Sequence, residues 1–568
     1  MRKFNRIMSM VLCSIVGVSA CVSGGCVGKG GSEDPNVLDV YCFISGYRDS
    51  WLRSALDLFE EQDWVKEKYP DLEINYTSDS LEATAHNKLN TPSKNDVDLF
   101  FSSEIQKYIN VSNLADLTDC LYLKTVPGED VKVIDKVPDY VKDVLYTPDA
   151  PEREDGLDTY YVMKYVDSFY GMMYNADKLQ QLNLEVPVTT DELLEQIKYV
   201  EDNGYKYTYK GAEETCYNGL MVSGPNSYAQ WMFPLYWTQY EGYDQYVNYF
   251  NGEYYNPITD EYTMSPEIFT QTGRLRALEF IEELLKDHAN EDAKDINHTK
   301  AQTNFLVGNG LFHWNGDYFS SEMELTRLAL KNEEGVDYDL RFMQAPVLSS
   351  IVEVLEDKEM SDTTLREVVR EIDKEKSYEE STVKQKVSKN DYNRIIEARR
   401  VRGNWMLFTQ DAVIPKDCPA EELASDFLAF MFSDIAIRNF SENSYGLSFP
   451  AIYYENMDSD EYEEMTAHFD SVQKSKFDIM FKYKTYPTIK IPSESSFLLG
   501  KKGLSRITSY KGVMGTTFVM GTDTAKNIYE KDIRYWYGLD KDTEINKENL
   551  DKAPKSEWAN LLKLAGYQ

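Results

Sequence analysis

Leu38-Asp-Val-Tyr-Cys-Phe-Ile44 reads as a buried strand, and the turn Ser45-Gly46 behind it leads into a helix whose Leu52, Leu56 and Phe59 fall on one face. Further strands are expected from Glu73 to Tyr76 and at Asp98-Leu-Phe-Phe101. Strand, helix, strand, strand at this spacing argues for a parallel α/β sheet. Ligands of such sheets meet the loops at the carboxyl ends of the strands. Here those loops carry Tyr47, Asp49, Trp51, Ser78, Asp79, Ser102, Ser103 and Glu104.

Toward the C-terminus the pattern changes. Tyr160-Tyr-Val-Met-Lys-Tyr-Val-Asp-Ser-Phe-Tyr-Gly-Met-Met-Tyr-Asn175 is aromatic and extended, long enough to run from one domain into another. Thr189 with Glu192 forms a capping box, opening a helix with Leu193, Ile197 and Val200 on its apolar face and Asn203-Gly204 at its end. Leu275, Leu278, Ile281 and Leu285 mark a second helix, and the aromatic-dense stretch from Tyr228 to Tyr262, with Trp231 and Trp237, reads as loop. Residues 304–319 read as a helix end, a turn and a strand tipped by Asn315, Gly316, Asp317 and Tyr318. Residues 351–400, highly charged and poor in aromatics, read as a solvated helical insertion. A strand through Ile414, broken by Pro415, and a helix bearing Ala424, Phe427, Leu428 and Met431 follow.

At the other end stand Arg2, Lys3 and Arg6, then an apolar run from Ile7 to Val18, then Val18-Ser19-Ala20-Cys21. Such a run is too short to span a bilayer and has the flank of a secretory signal. Val22 to Asn36, rich in Gly and Ser, reads as a flexible tether. About 530 residues remain, enough for two to four domains. The net charge of −36 repels phosphate backbones and anionic lipid alike, so a nucleic-acid partner is not expected. The seven Cys lack C-x-x-C spacing, and the five His have no partner at metal-ligand spacing, so neither a metal nor a cofactor is expected. His313, on an apolar strand, reads as a satisfied core residue.

Two resemblances follow from these residues. The small residue before Cys21 resembles a bacterial lipobox, which implies a signal peptide at 1–20, a tether at 21–36 and a diacylated Cys21; a cut before Cys26 is the alternative. Two acyl chains imply stable anchoring at the outer face of the cytoplasmic membrane. In order and spacing, Tyr170-Gly-Met-Met-Tyr-Asn-Ala-Asp-Lys-Leu179 with Pro187-Val-Thr-Thr-Asp-Glu-Leu193, Phe305-Leu-Val-Gly-Asn-Gly-Leu-Phe-His-Trp-Asn-Gly-Asp317, and Asp411-Ala-Val-Ile-Pro415 with the helix after it resemble the extracellular solute-binding proteins of ABC importers. The resemblance is to the sugar-binding group, family 1, which includes maltose-binding protein. It implies an α/β fold of two lobes, a periplasmic-binding-protein-like clamshell with hinge crossover strands and an interlobe cleft. Lobe 1 would take 37–163 and 348–450, with the insertion at 351–400, and lobe 2 would take 168–346 and 451–568.

A sugar has apolar faces and a rim of hydroxyls, so its site needs aromatic platforms beside polar acceptors. The resemblance places ligand contacts at Tyr47, Asp49 and Trp51, at Ser103 and Glu104, at Tyr165 and Asp167, at Tyr228, Trp231, Asp317 and Tyr318, and at Trp405. The implied partners are a carbohydrate, the permease subunits and the membrane through the anchor alone, with the chain a monomer. Asp49 has an N-cap as its structural alternative and Tyr165 a hinge lining. The rival readings are a tethered carbohydrate-active enzyme and a ligand-binding sensor for a membrane kinase. No G-x-S-x-G, H-E-x-x-H or phosphate-loop motif supports catalysis. A peptide or other polyol ligand stays open.

Overall fold

The computed structural model describes residues 33–44, 48–103, 105, 110–137, 141–142, 153–157, 159–167, 169–224, 228–256, 259–403, 410–444, 449–450, 459–483, 486–487 and 516–564. The signal segment, Cys21, Cys26 and most of the tether lie outside the described residues, as do Tyr47, Glu104 and Trp405. Of Asp167 only the backbone is described.

Two sheets organise the chain. Their strands are β1 Val37–Phe43, β2 Glu73–Asp79, β3 Leu99–Ser102, β4 Met163–Asp167, β5 Tyr170–Asn175, β6 Leu220–Met221, β7 Phe312–Gly316, β8 Leu340–Phe342, β9 Gln410–Val413 and β10 Phe449–Pro450. The first sheet has the order β10-β4-β9-β3-β1-β2 and the second β8-β5-β7-β6. Strand β1 pairs parallel with both β2 and β3, as the opening sequence pattern predicts, and β9 returns antiparallel to β3 and β4. In the second sheet β5 runs antiparallel to β7 and β8, while β6 is parallel to β7.

The expected single run over 160–175 is instead two strands in different sheets. The chain leaves the first sheet after Asp167 and enters the second at Tyr170. It is met there by its later return: Tyr170 N donates to Gly403 O at 3.3 Å. A Cβ at Gly403 would lie 2.4 Å from the Tyr170 carbonyl oxygen, so only glycine lets the two crossings touch.

Helix α1, Ser50–Glu61, buries Trp51, Leu52, Leu56 and Phe59 against the first sheet. Helix α2, Thr190–Asn203, is capped by Thr189, which accepts from Glu192 N at 3.2 Å. Glu192 reaches back one residue further than a capping box requires, accepting from Val188 N at 2.8 Å. Gly204, at φ +64, ends the helix.

The aromatic stretch expected as loop contains two helices, α3 Ala229–Glu241 and α4 Tyr243–Asn251. Met232, Phe233, Leu235, Tyr236 and Trp237 of α3 are all buried, so the helix is apolar on every side and lacks the amphipathic period that marks a surface helix. Pro234 lies inside it, further masking the signal. Helix α5, Phe319–Ala329, follows β7 directly after Asp317 and Tyr318.

The insertion contains α6, Asp362–Asp373, and α7, Lys389–Arg399. It is more than a solvated arm. Ile351, Leu365, Val368, Val369, Tyr392 and Ile395 form a buried cluster with Val188 and Val347. Expected to go with the first lobe, it instead reaches the helices around the second sheet. Arg370 pairs with Glu192 at 2.6 Å and Glu185 at 3.0 Å, and Arg394 donates to the carbonyls of Gln239 and Tyr240. Ionic contacts with α2 and carbonyl contacts with α3 decide this placement, and neither has a sequence period.

Cys42, Cys120 and Cys216 are buried and free. Among the described residues no helix is long and apolar enough to cross a membrane, and no group of three His, Cys, Asp or Glu is placed to hold a metal ion.

Candidate functional site

Where β4 passes into β5, four aromatic side chains converge. Tyr170 begins β5, Tyr228 precedes α3, Trp231 lies in its first turn, and Tyr318 precedes α5. The Tyr170 ring lies 5.4 Å from Tyr228, 6.1 Å from Trp231 and 5.8 Å from Tyr318, and Tyr228 lies 6.3 Å from Tyr318. These separations are in the range where tilted and edge-on rings attract. Tyr170 and Tyr318 are buried and joined by a hydrogen bond between their hydroxyls, whereas Tyr228 and Trp231 are half-buried. The arrangement is a rigid aromatic backing with two partly open faces in front of it.

Local chain geometry explains the convergence. A Cβ at Gly316 would lie 2.5 Å from the Tyr318 ring, so glycine lets that ring fold back over the end of β7. Tyr228 has φ 54 and ψ 20, a left-handed backbone that costs a non-glycine residue about 1–2 kcal/mol. Strain of this kind persists only where the surroundings hold it, and here the neighbouring rings do so.

Burial pushes the Tyr318 hydroxyl well above its ordinary pKa, with Tyr170 and Tyr228 adding to the effect. It raises that of Tyr228 as well, although the hydrogen bond to Tyr318 works the other way. Both phenols are therefore neutral near pH 7. A neutral phenol can donate and accept one hydrogen bond on the same atom, which matches a hydroxyl-bearing guest.

A cavity of about 320 Å³ runs along α5, bounded by Phe319, Ser321, Met323 and Glu324, by Arg48 from the loop after β1, and by His468; none of the four clustered rings lines it. Its size falls in the small-molecule range. Arg48 brings the first sheet to its rim: its guanidinium donates to Ser321 Oγ at 3.1 Å and pairs with Glu324.

The expected contacts divide sharply. Tyr228, Trp231 and Tyr318 are brought together. Trp51 and Tyr165 are not on any open surface, and this corrects their expected role. Each is 1 % exposed, they stack at 5.7 Å, and Phe101 and Phe440 pack around them. The Tyr165 hydroxyl donates to Met431 O at 3.2 Å. Both belong to the first sheet's core because α1 faces inward at Trp51.

Asp49 likewise serves the protein itself. Its Oδ2 accepts from Tyr76 at 2.9 Å, Ser78 at 3.2 Å and Arg53 at 2.9 Å, tying α1 to the end of β2. It occupies the N-cap position of α1 without making the capping hydrogen bond. Ser103 is buried at the end of β3 with its carbonyl 3.0 Å from His86 Nε2. The Asp317 carboxylate is buried and faces Lys476 at 3.8 Å, while its amide donates to Phe169 O. Being buried, it does not present an open acceptor.

Two residues at these places carry no such signal in the sequence. Tyr170 sits in the quoted motif, but its strand alternation gives no sign that it backs a site. Arg48 stands between Tyr47 and Asp49, and a cation is not a side chain that an uncharged sugar calls for. His313 behaves as expected of a core residue: Nδ1 is 2.6 Å from Met221 O, Nε2 is 2.9 Å from Asn315 Nδ2, and burial lowers its pKa to about 4.

No protein-family model matches the chain, and no curated protein sequence does. Solved structures do match. A probable secreted solute-binding lipoprotein from Streptomyces coelicolor aligns over 89% of this chain and 99% of its own, at 12% identity and a TM-score of 0.52. A structure from a study of xylan utilisation by Caldanaerobius polysaccharolyticus aligns over 88% of this chain and 99% of its own, also at 12% identity, with a TM-score of 0.51. At these identities the likeness is one of fold, and the fold is that of the two-lobed solute-binding proteins.

Proposed function

We propose that this chain is a membrane-tethered extracellular solute-binding lipoprotein of an ABC importer, which captures a carbohydrate between its lobes and passes it unchanged to the permease. The lobes are the units around the two sheets, and the insertion at 351–400 goes with the second. The observation that carries the reading is the aromatic cluster of Tyr170, Tyr228, Trp231 and Tyr318 at the crossover between sheets. Flat rings match the apolar faces of a pyranose, and neutral phenols match its hydroxyls. The two fold relatives, a probable secreted solute-binding lipoprotein and a structure from a study of xylan utilisation, agree in kind. The lipobox-like Ala20-Cys21 supplies the tether.

A thermal-shift screen over a panel of oligosaccharides tests the ligand class. A sugar held at about a hundred times its Kd adds roughly 2.7 kcal/mol to stability and raises the melting temperature. Silence across the panel with a response to peptides would remove the carbohydrate assignment and leave the fold untouched. Trp231→Ala is expected to abolish the sugar response.

A further inference from the structure

We infer that Arg48 is a latch that holds the two lobes together across the cavity and sets how readily the site opens. The inference rests on the two-lobed reading above and adds a control element to it.

Arg48 emerges from a fixed platform. The residue has φ 62, a left-handed conformation that arginine rarely adopts, and the next residue, Asp49, is tied to Arg53, Tyr76 and Ser78 of the first-sheet unit. From there the guanidinium crosses to α5: Nε donates to Ser321 Oγ at 3.1 Å, while Nη2 donates to Ser321 O at 3.5 Å and Glu324 Oε2 at 2.5 Å. Helix α5 begins directly after Tyr318, so the far end of the latch is rigidly joined to the aromatic cluster. Neighbours in sequence thus point opposite ways. Asp49 binds its own unit, and Arg48 binds the other.

Separating the sheets breaks all three contacts at once, because every acceptor lies on α5. The pair is 41% and 47% exposed, so its strength is that of a solvated ion pair and it yields to salt. A weak latch suits a binder that must also release. A strong buried pair would hold the lobes shut.

Small-angle X-ray scattering of the full chain without ligand reads the opening directly. At low salt, Arg48→Ala and Glu324→Ala are each expected to raise the open-to-closed ratio about two- to fivefold, seen as a larger radius of gyration. The double variant should open no further than Arg48→Ala alone, because Arg48 is party to all three contacts. The wild type should approach the variants at about 1 M salt, where the screening length is about 3 Å. Circular dichroism checks that the variants are folded, and both substitutions are at exposed side chains outside the aromatic cluster. Scattering from Arg48→Ala that overlays the wild type at low salt would overturn the latch. So would an Arg48→Ala effect undiminished when Glu324 is already alanine. No sugar enters the measurement, so the carbohydrate reading can fail while the latch stands.

Discussion

His313 shows what burial does to a single side chain. Its ring is buried, and burial lowers its pKa from 6.5 to about 4, although the bond to the Met221 carbonyl works the other way. The unfolded chain binds a proton near pH 6.5 and the folded chain does not, so this group's contribution is intact above pH 6.5 and is lost as the pH falls toward 4. The loss amounts to about 3 kcal/mol. Denaturant unfolding of wild type and His313→Gln at several pH values should show the difference between them changing over that window and flat above it. The aromatic residues separate by a different test. Trp51→Ala should cost about 3–5 kcal/mol of stability, as core deletions do, and leave sugar binding per folded molecule intact. Trp231→Ala should do the reverse, losing binding with a smaller loss of stability. Melting curves and titration calorimetry on the two variants read both quantities.

At the scale of elements, the first strands and α1 were legible because their apolar residues recur with the right period. Helix α3 was not, because a helix buried all round has no polar face to set a phase, and Pro234 argues against it locally. The insertion misled in the opposite direction. Its charges suggested a solvated arm, yet they form ion pairs around a small apolar core. Leu365→Ala, which removes the centre of that core, should cost about 2–5 kcal/mol of local stability. Hydrogen exchange should rise across 361–399 while α3 stays protected. Loss of protection in both together would mean that the insertion has no cooperativity of its own.

At the scale of the whole molecule, salt acts in two directions. A net charge of −36 repels itself in the compact state, so raising ionic strength from about 0.01 to 0.15 M shortens the screening length from about 30 to 8 Å and should raise the melting temperature. The same salt weakens the exposed Arg48–Glu324 pair and should open the lobes. Parallel melting and scattering series would show stability and openness rising together. A chain held shut by apolar contact alone would not open with salt.

The sequence by itself determined the parallel start of the first sheet, because strand period is local, while its resemblance to the solute-binding proteins pointed to the crossover near Tyr170 and to three of the four clustered aromatics. Tertiary structure alone decided that Trp51 and Tyr165 face a core, that Asp49 ties α1 to β2, that Asp317 is buried, and that Arg48 reaches α5. Each of these depends on which distant segment packs alongside, and an alternating or capping pattern is the same whether its side chain meets a ligand or another part of the chain.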